Sequence, residues 1–247
     1  QAERGTSNTY RQTEGAQLAD TLPGLREATD QAYAAAEVAL EEAGLGEDVQ
    51  ASLHTVLDRR SEVDQLRSGV DSMRIDPADV VPGYTAVVQE VLGAAGPVVR
   101  ATSDGDVARD LVGAVQVSYA KETAGLQRAQ LASAFAADQF APGQSSRIAG
   151  LVGERAAFLH SWTVVGGDEA TARLEELTAM PEAQQVEEIT QDALSRQSDF
   201  GRDSKEWFAL ATEYVDALRE IEQDGYAQVA ADTRDALGAA QLRFAVT

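Results

Sequence analysis

Apolar residues recur three and four positions apart along most of the chain, the period of a helix that buries one face. Ala, Glu, Gln, Leu and Arg dominate and β-branched runs are short, so local preference is also helical. The pattern predicts a first helix from Gln1 to about Thr13 and a loose stretch over Gly15–Gly24. A second helix runs from Leu25 to about Glu42 and stops at Gly44 and Gly46. A third covers about 47–71. Asp76-Pro77 reads as a cap followed by a proline at the first helical position, which opens a fourth helix. Its Tyr84, Val87, Val88, Val91 and Leu92 form a core-facing stripe. The longest uninterrupted segment, about 104–138, carries Val107, Leu111, Val115, Leu126, Leu131 and Phe135. Pro142 starts a sixth helix that ends near Gly166-Gly167, Asp168 caps a short seventh and Pro181 opens an eighth. The ninth runs from about Asp203 to the end, with Trp207, Leu210, Tyr214, Leu218 and Ile221 on one seam. All six prolines (Pro23, Pro77, Pro82, Pro97, Pro142 and Pro181) fall at apparent breaks.

Long helices with narrow stripes predict an all-α fold of up-and-down bundles. Glu3-Arg4-Gly5 and Gln127-Arg128-Ala129 look alike, each followed by an aromatic, Tyr10 or Phe135. The two arginines are 124 positions apart, half of the 247 residues. This duplication predicts two four-helix bundles in tandem with long shared helices. The first would occupy 1–100, with 203–247 available to complete it, and the second 101–202.

Charge narrows the function. Lys and Arg number 20 and Asp and Glu 41, a formal net charge of −21. General nucleic-acid binding needs a Lys/Arg face to neutralise phosphates, and docking on anionic lipid needs the same. The absence of Cys excludes disulfides, thiolate nucleophiles and zinc knuckles, but leaves the compartment open. No stretch approaches 18 consecutive apolar residues. Gln1-Ala2-Glu3-Arg4 reads like the inside of a helix and the end turns apolar without a stop signal, as expected of a piece of a longer protein.

Catalytic signatures are missing: no Gly-rich phosphate loop, no His-Glu-x-x-His and no Gly-x-Ser-x-Gly. His54 and His160 stand far apart in ordinary helices and read as surface or packing residues. Glu41-Glu42, Glu175-Glu176 and Glu187-Glu188 are neighbours in sequence, so they diverge on a helix and read as solvated faces. Asp104, Asp106 and Asp110 lack the glycine and terminal glutamate of a calcium loop, and Asp104 reads as a cap. No metal or cofactor is expected. What stands out is Arg4 beside Gly5, Thr6 and Ser7, and Arg128 beside Ala124, Gly125 and Ala129. Small neighbours let a second helix come close, where a guanidinium would meet a partner helix rather than water. Two such arginines converging would make an anion site with a fork of donors each; two ordinary ion-paired arginines are the plainer reading.

Three segments carry a resemblance: Gln1-Ala2-Glu3-Arg4-Gly5-Thr6-Ser7, Lys121-Glu122-Thr123-Ala124-Gly125-Leu126-Gln127-Arg128-Ala129, and Trp207 followed by Tyr214-Val215-Asp216-Ala217-Leu218-Arg219. In order and spacing they resemble the nitrate- and nitrite-sensing (NIT) domain, and more closely the extracellular sensor region of actinobacterial histidine kinases, including conservon-encoded ones. Arg26, Thr29 and Asp30 fit the same pattern. The resemblance implies two four-helix bundles, an anion site to which Arg4 and Arg128 contribute, and Ser7 and Lys121 as its neighbours. It departs at Gln127, where the family often has Glu.

Together these readings predict the sensory domain of a transmembrane histidine kinase in two-component signalling. It would lie on the extracellular face, anchored through flanking helices outside this chain, homodimeric in the intact receptor, and binding nitrate or nitrite. The alternative is a dimerisation or protein and cell-wall interaction module of the same receptor, with structural arginines. The chain itself would not be an enzyme.

Overall fold

The computed structural model describes residues 1–42 and 46–245, with side chains through 41 and from 46 to 235. Ten helices lie among these residues, and the all-α class expected from the periodicity is the class observed. The chain divides into two compact units, Gln1–Ala101 and Thr102–Thr247.

The first unit holds α1 (Ala2–Gln12), α2 (Leu22–Glu42), α3 (Glu47–Asp58), α4 (Arg60–Asp71), α5 (Pro77–Gly93) and α6 (Ala95–Ala101). Helix α1 packs against α2, α4 and α5, and α3 against α2, α4, α5 and α6. The core is small: Tyr33, Val63, Val70, Val80, Tyr84 and Val87, with Tyr10, Leu57, Leu66 and Ile75 partly buried against it. Asp76 caps α5 as its sequence suggests, accepting a hydrogen bond from the Ala78 amide at 2.9 Å, with Pro77 in the first turn.

Several local expectations are corrected. The single third helix is two, because the chain bends at Arg59, whose amide reaches back to the Val56 carbonyl at 3.2 Å in a tightened turn. No Gly or Pro marks that bend. Helix α2 starts at Leu22, three residues early, with Pro23 in a first turn that has no use for its amide. Pro97 likewise falls in the first turn of α6, an unpredicted helix, and Pro82 lies inside α5. Gly46 precedes α3 rather than ending α2, while Gly44 lies outside the described residues. Val91 is 46% exposed and falls outside the α5 stripe, whereas Val88 and Leu92 are half-buried.

The second unit holds α7 (Gly105–Ala137), α8 (Gln144–Ala179), α9 (Pro181–Leu194) and α10 (Ser204–Ala245). Helix α7 packs against α8 and α10, and α9 against the same two. Residues 203–247 thus belong with this unit. Asp104 caps α7 through the amides of Asp106 and Val107, and Asp203 caps α10 through those of Lys205 and Glu206. Trp207, Tyr214, Leu218 and Ile221 are buried along the α10 seam, joined by Ala211. Phe135 meets Phe200 and Trp207 edge-on at centroid distances of 5.5 and 5.6 Å, closing one end of the bundle. The predicted break at Gly166-Gly167 is a kink within α8: Gly167 has φ 64° and ψ −143°, which a residue with a Cβ scarcely reaches. The helix itself begins at Gln144, two residues past Pro142, after Gly143 turns left-handed at φ 75°.

Candidate functional site

Each unit buries a polar cluster alongside its apolar core. In the first, the buried residues of α1 are Glu3, Arg4 and Ser7, all polar. Arg67 of α4 donates Nε and Nη2 to the two carboxylate oxygens of Glu3 at 2.8 and 2.9 Å. Its Nη1 reaches Asp30 of α2 at 2.8 Å. The Tyr84 hydroxyl donates to Glu3 Oε1 at 2.8 Å and stands 3.3 Å from the Ser7 hydroxyl. Arg4 donates Nη1 to the Thr85 hydroxyl at 2.9 Å, and only 5% of its surface is exposed. Arg26 closes the margin with a two-pronged pair to Asp71, both contacts at 2.8 Å.

This network sets its own protonation. Burial pushes the Glu3 carboxyl up, but hydrogen bonds from Arg67, Thr29 and Tyr84, and the charge of Arg67, outweigh it and hold Glu3 below the usual carboxylate range. The hydrogen bond to Glu3 raises Arg67 further above its ordinary value, and burial raises the Tyr84 phenol. Glu3 is therefore a carboxylate, Tyr84 a neutral donor and Arg67 a fixed cation at neutral pH.

The second unit repeats the plan with different chemistry. Gln127 of α7, 1% exposed, stands where Glu3 does in the duplication, and Arg155 of α8 donates Nη1 to its amide oxygen. The Gln127 amide nitrogen donates to the Thr190 hydroxyl of α9 at 2.8 Å. Arg155 also lies over the Tyr214 ring, 5.3 Å from its centroid, and reaches Glu187 at 3.2 Å. Arg128 donates Nη1 to the Thr212 hydroxyl of α10 at 2.8 Å and stacks on Phe208 at 4.4 Å. The Trp207 indole donates to the Arg128 carbonyl at 2.9 Å.

The four sequence-based site residues therefore have distinct settings. Arg4 and Arg128 each donate to a threonine on the helix that carries the tyrosine of their own cluster, Tyr84 or Tyr214. Ser7 is fully buried beside Tyr84. Lys121 is largely buried and ion-paired to Glu222 of α10. His54 and His160 are exposed. Among the described residues, no three His, Asp or Glu side chains are placed to share a metal ion. Two hollows of the first unit lie apart from these residues, one bordered by Glu47, Asp48 and Arg100 and the other by Glu37, Glu41 and His54. Sequence reading missed Arg67 and Arg155. The available signal was position: each arginine interrupts an apolar seam, Val63-Leu66-Arg67-Val70 and Ile148-Arg155-Leu159-Trp162.

Among the described residues, the buried cations of both units are guanidiniums, Arg4, Arg67 and Arg155. The sequence pattern of the family described as nitrate and nitrite sensing, NIT, matches residues 1–230, and the chain belongs to that family. It is thus a sensing domain and not an enzyme. Among solved structures, that of the NasR transcription antiterminator is similar, with a TM-score of 0.81 at 22% identity over 98% of this chain and 67% of that one. At that identity the likeness is one of fold. No curated protein sequence matches.

Proposed function

We propose that this domain recognises nitrate or nitrite through Arg4 and Arg128, with Ser7 and Lys121 as neighbours. The observation carrying the proposal is the repeated arrangement: in each unit of a NIT-family domain, one arginine extends from the duplicated motif to a threonine of its own unit. Guanidinium presents a planar fork of donors that suits a planar oxyanion. With a net charge of −21 over the chain, capture of an anion depends on such local fields. The sequence resemblance supports a further placement, on the extracellular face of a homodimeric membrane histidine kinase. Among the described residues, no helix is long and apolar enough to cross a membrane, so that anchorage calls for segments outside this chain.

A second reading rests on the same contacts. An arginine fixed to threonine also serves as packing in a dimerisation or interaction module. Isothermal calorimetry of the folded 247-residue chain with nitrate and nitrite separates the two. Saturable heat supports recognition, and no heat at millimolar anion overturns it in favour of the interaction module.

A further inference from the structure

We propose that Arg67 and Arg155 are positioning residues: by gripping Glu3 and Gln127, they lock the rotational phase of α1 and α7 and so set the direction in which Arg4 and Arg128 point. The functional meaning of that direction rests on the anion reading above; the latch itself does not.

The argument is geometric. Successive residues on a helix point about 100° apart, so fixing one side chain in the core fixes where the next one points. Glu3 and Arg4 are successive, and so are Gln127 and Arg128. In both units the first member of the pair is buried and held by an arginine from a neighbouring helix. The second member reaches a threonine on a different helix, Thr85 of α5 or Thr212 of α10. Each motif is thereby clamped in two directions at once, which leaves the helix little freedom to roll. Helix α1 depends on this especially: its buried residues are Glu3, Arg4 and Ser7, so no fully buried apolar side chain fixes its phase.

The two units reach this arrangement by different routes, which argues for the geometry over any one pairing. Arg67 comes from α4 and Arg155 from α8, and the residue 124 positions after Arg67 is Gln191, so the duplication does not copy the latch residue. The gripped group differs as well. Glu3 offers two carboxylate oxygens and forms a fork, whereas Gln127 offers one amide oxygen to Arg155 and turns its nitrogen to Thr190. Each unit thus shows that the other's partner, acid or amide, is compatible with a buried arginine.

The test uses the full 247-residue chain, ¹⁵N-labelled, with the Nε–H signals of Arg4 and Arg128 and the Trp207 indole signal as position reporters. The indole is apt because it donates to the Arg128 carbonyl. Gln127→Ala is compared with Leu131→Ala, a cavity one turn further along the same buried face of α7. Gln127→Leu keeps the volume if the alanine variant does not fold, and Glu3→Ala against Val70→Ala is the first-unit comparison. The latch predicts that Gln127→Ala and Glu3→Ala displace the arginine signals of their own units, while the cavity variants lower the melting temperature but leave those signals in place. It predicts that Gln127→Glu and Glu3→Gln, each installing the other unit's partner, restore the wild-type positions. Nitrate affinity should fall tenfold or more in the latch-breaking variants alone. Unmoved arginine signals in Gln127→Ala and Glu3→Ala, or equal movement in the cavity variants, overturn the proposal. A wild-type chain that takes no nitrate defeats the anion reading, and the spectroscopic result still decides the latch.

Discussion

Arg67 holds both carboxylate oxygens of Glu3, 64 positions away in the sequence, with the carboxylate side chain 4% exposed and the guanidinium side chain 11% exposed. A pair this deep gains little over two well-packed apolar groups, but breaking it from one side leaves a charge in a poor solvent. Arg67→Met should therefore destabilise the first unit by about 3–5 kcal/mol, because Glu3 is left buried with only Tyr84 and its threonine partner. The double variant Glu3→Met with Arg67→Met should recover most of that loss. Urea unfolding of the single and double variants measures both, and a double variant no more stable than the single one would falsify this account of the pair.

The same carboxylate makes the first unit sensitive to acid. The native Glu3 value lies below the ordinary range, while the unfolded chain titrates at about 4.3. For a depressed carboxyl, the stabilisation is fully present above the unfolded value and is lost as pH falls through the native one. Unfolding midpoints should fall below about pH 4 more steeply in the wild type than in Glu3→Gln, since the amide does not titrate. At pH 7 the variant should be the less stable, and the gap should narrow by pH 3. Gln127, which stands where Glu3 does, is an amide and does not titrate, so Gln127→Glu should introduce a new acid limb. Circular dichroism across pH and urea reads all three proteins.

Much of the fold was legible because it follows from backbone chemistry. Asp76, Asp104 and Asp203 cap helices where a short polar acceptor precedes an apolar run, and the seam from Trp207 to Ile221 keeps its spacing in the buried core. The bend at Arg59 was hidden because no Gly or Pro marks it; on its two sides α3 packs against α2, α5 and α6, and α4 against α1 and α5. The candidate arginines were legible as oddities among small residues, and the 124-residue offset found the pair that the structure shows in matching settings. Their supports were not. Periodicity assigns every charged residue to water, so a buried Arg67 or Arg155 reads as surface unless its place in an apolar seam is weighed. Lys121 carried a motif match, but its partner Glu222 lies 101 positions away, a distance that local pattern does not bridge.

If Arg4 and Arg128 take the anion, each supplies charge-assisted hydrogen bonds worth about 1.5–3 kcal/mol. Arg4→Ala and Arg128→Ala should then each weaken nitrate binding by about 10- to 100-fold. Lys121→Met should weaken it less, because Glu222 already balances the ammonium. Thr85→Val and Thr212→Val remove the hydroxyls that steady the two guanidiniums and should have intermediate effects. Calorimetry against nitrate ranks the series. Arginine variants that bind as well as the wild type would move the site elsewhere in the domain.

Glycines within α8 separate backbone strain from helix propensity in one element. Gly167 sits at φ 64° and ψ −143°, a region essentially reserved for glycine, so Gly167→Ala should cost about 1–3 kcal/mol. At Gly166 the backbone is not the obstacle, but an added Cβ would lie 2.6 Å from that of Ala170, so Gly166→Ala should also destabilise. Gly153 is helical with nothing within 4 Å of an added Cβ, and Gly153→Ala should stabilise by about 0.5–1 kcal/mol through helix propensity. For a chain of this size a change of 1 kcal/mol moves the melting temperature by about 2–4 °C, so calorimetric melting resolves the opposite signs. If Gly167→Ala melted at or above the wild type, the kink would not be a fixed feature of α8, and the helix would run straight through 166–167.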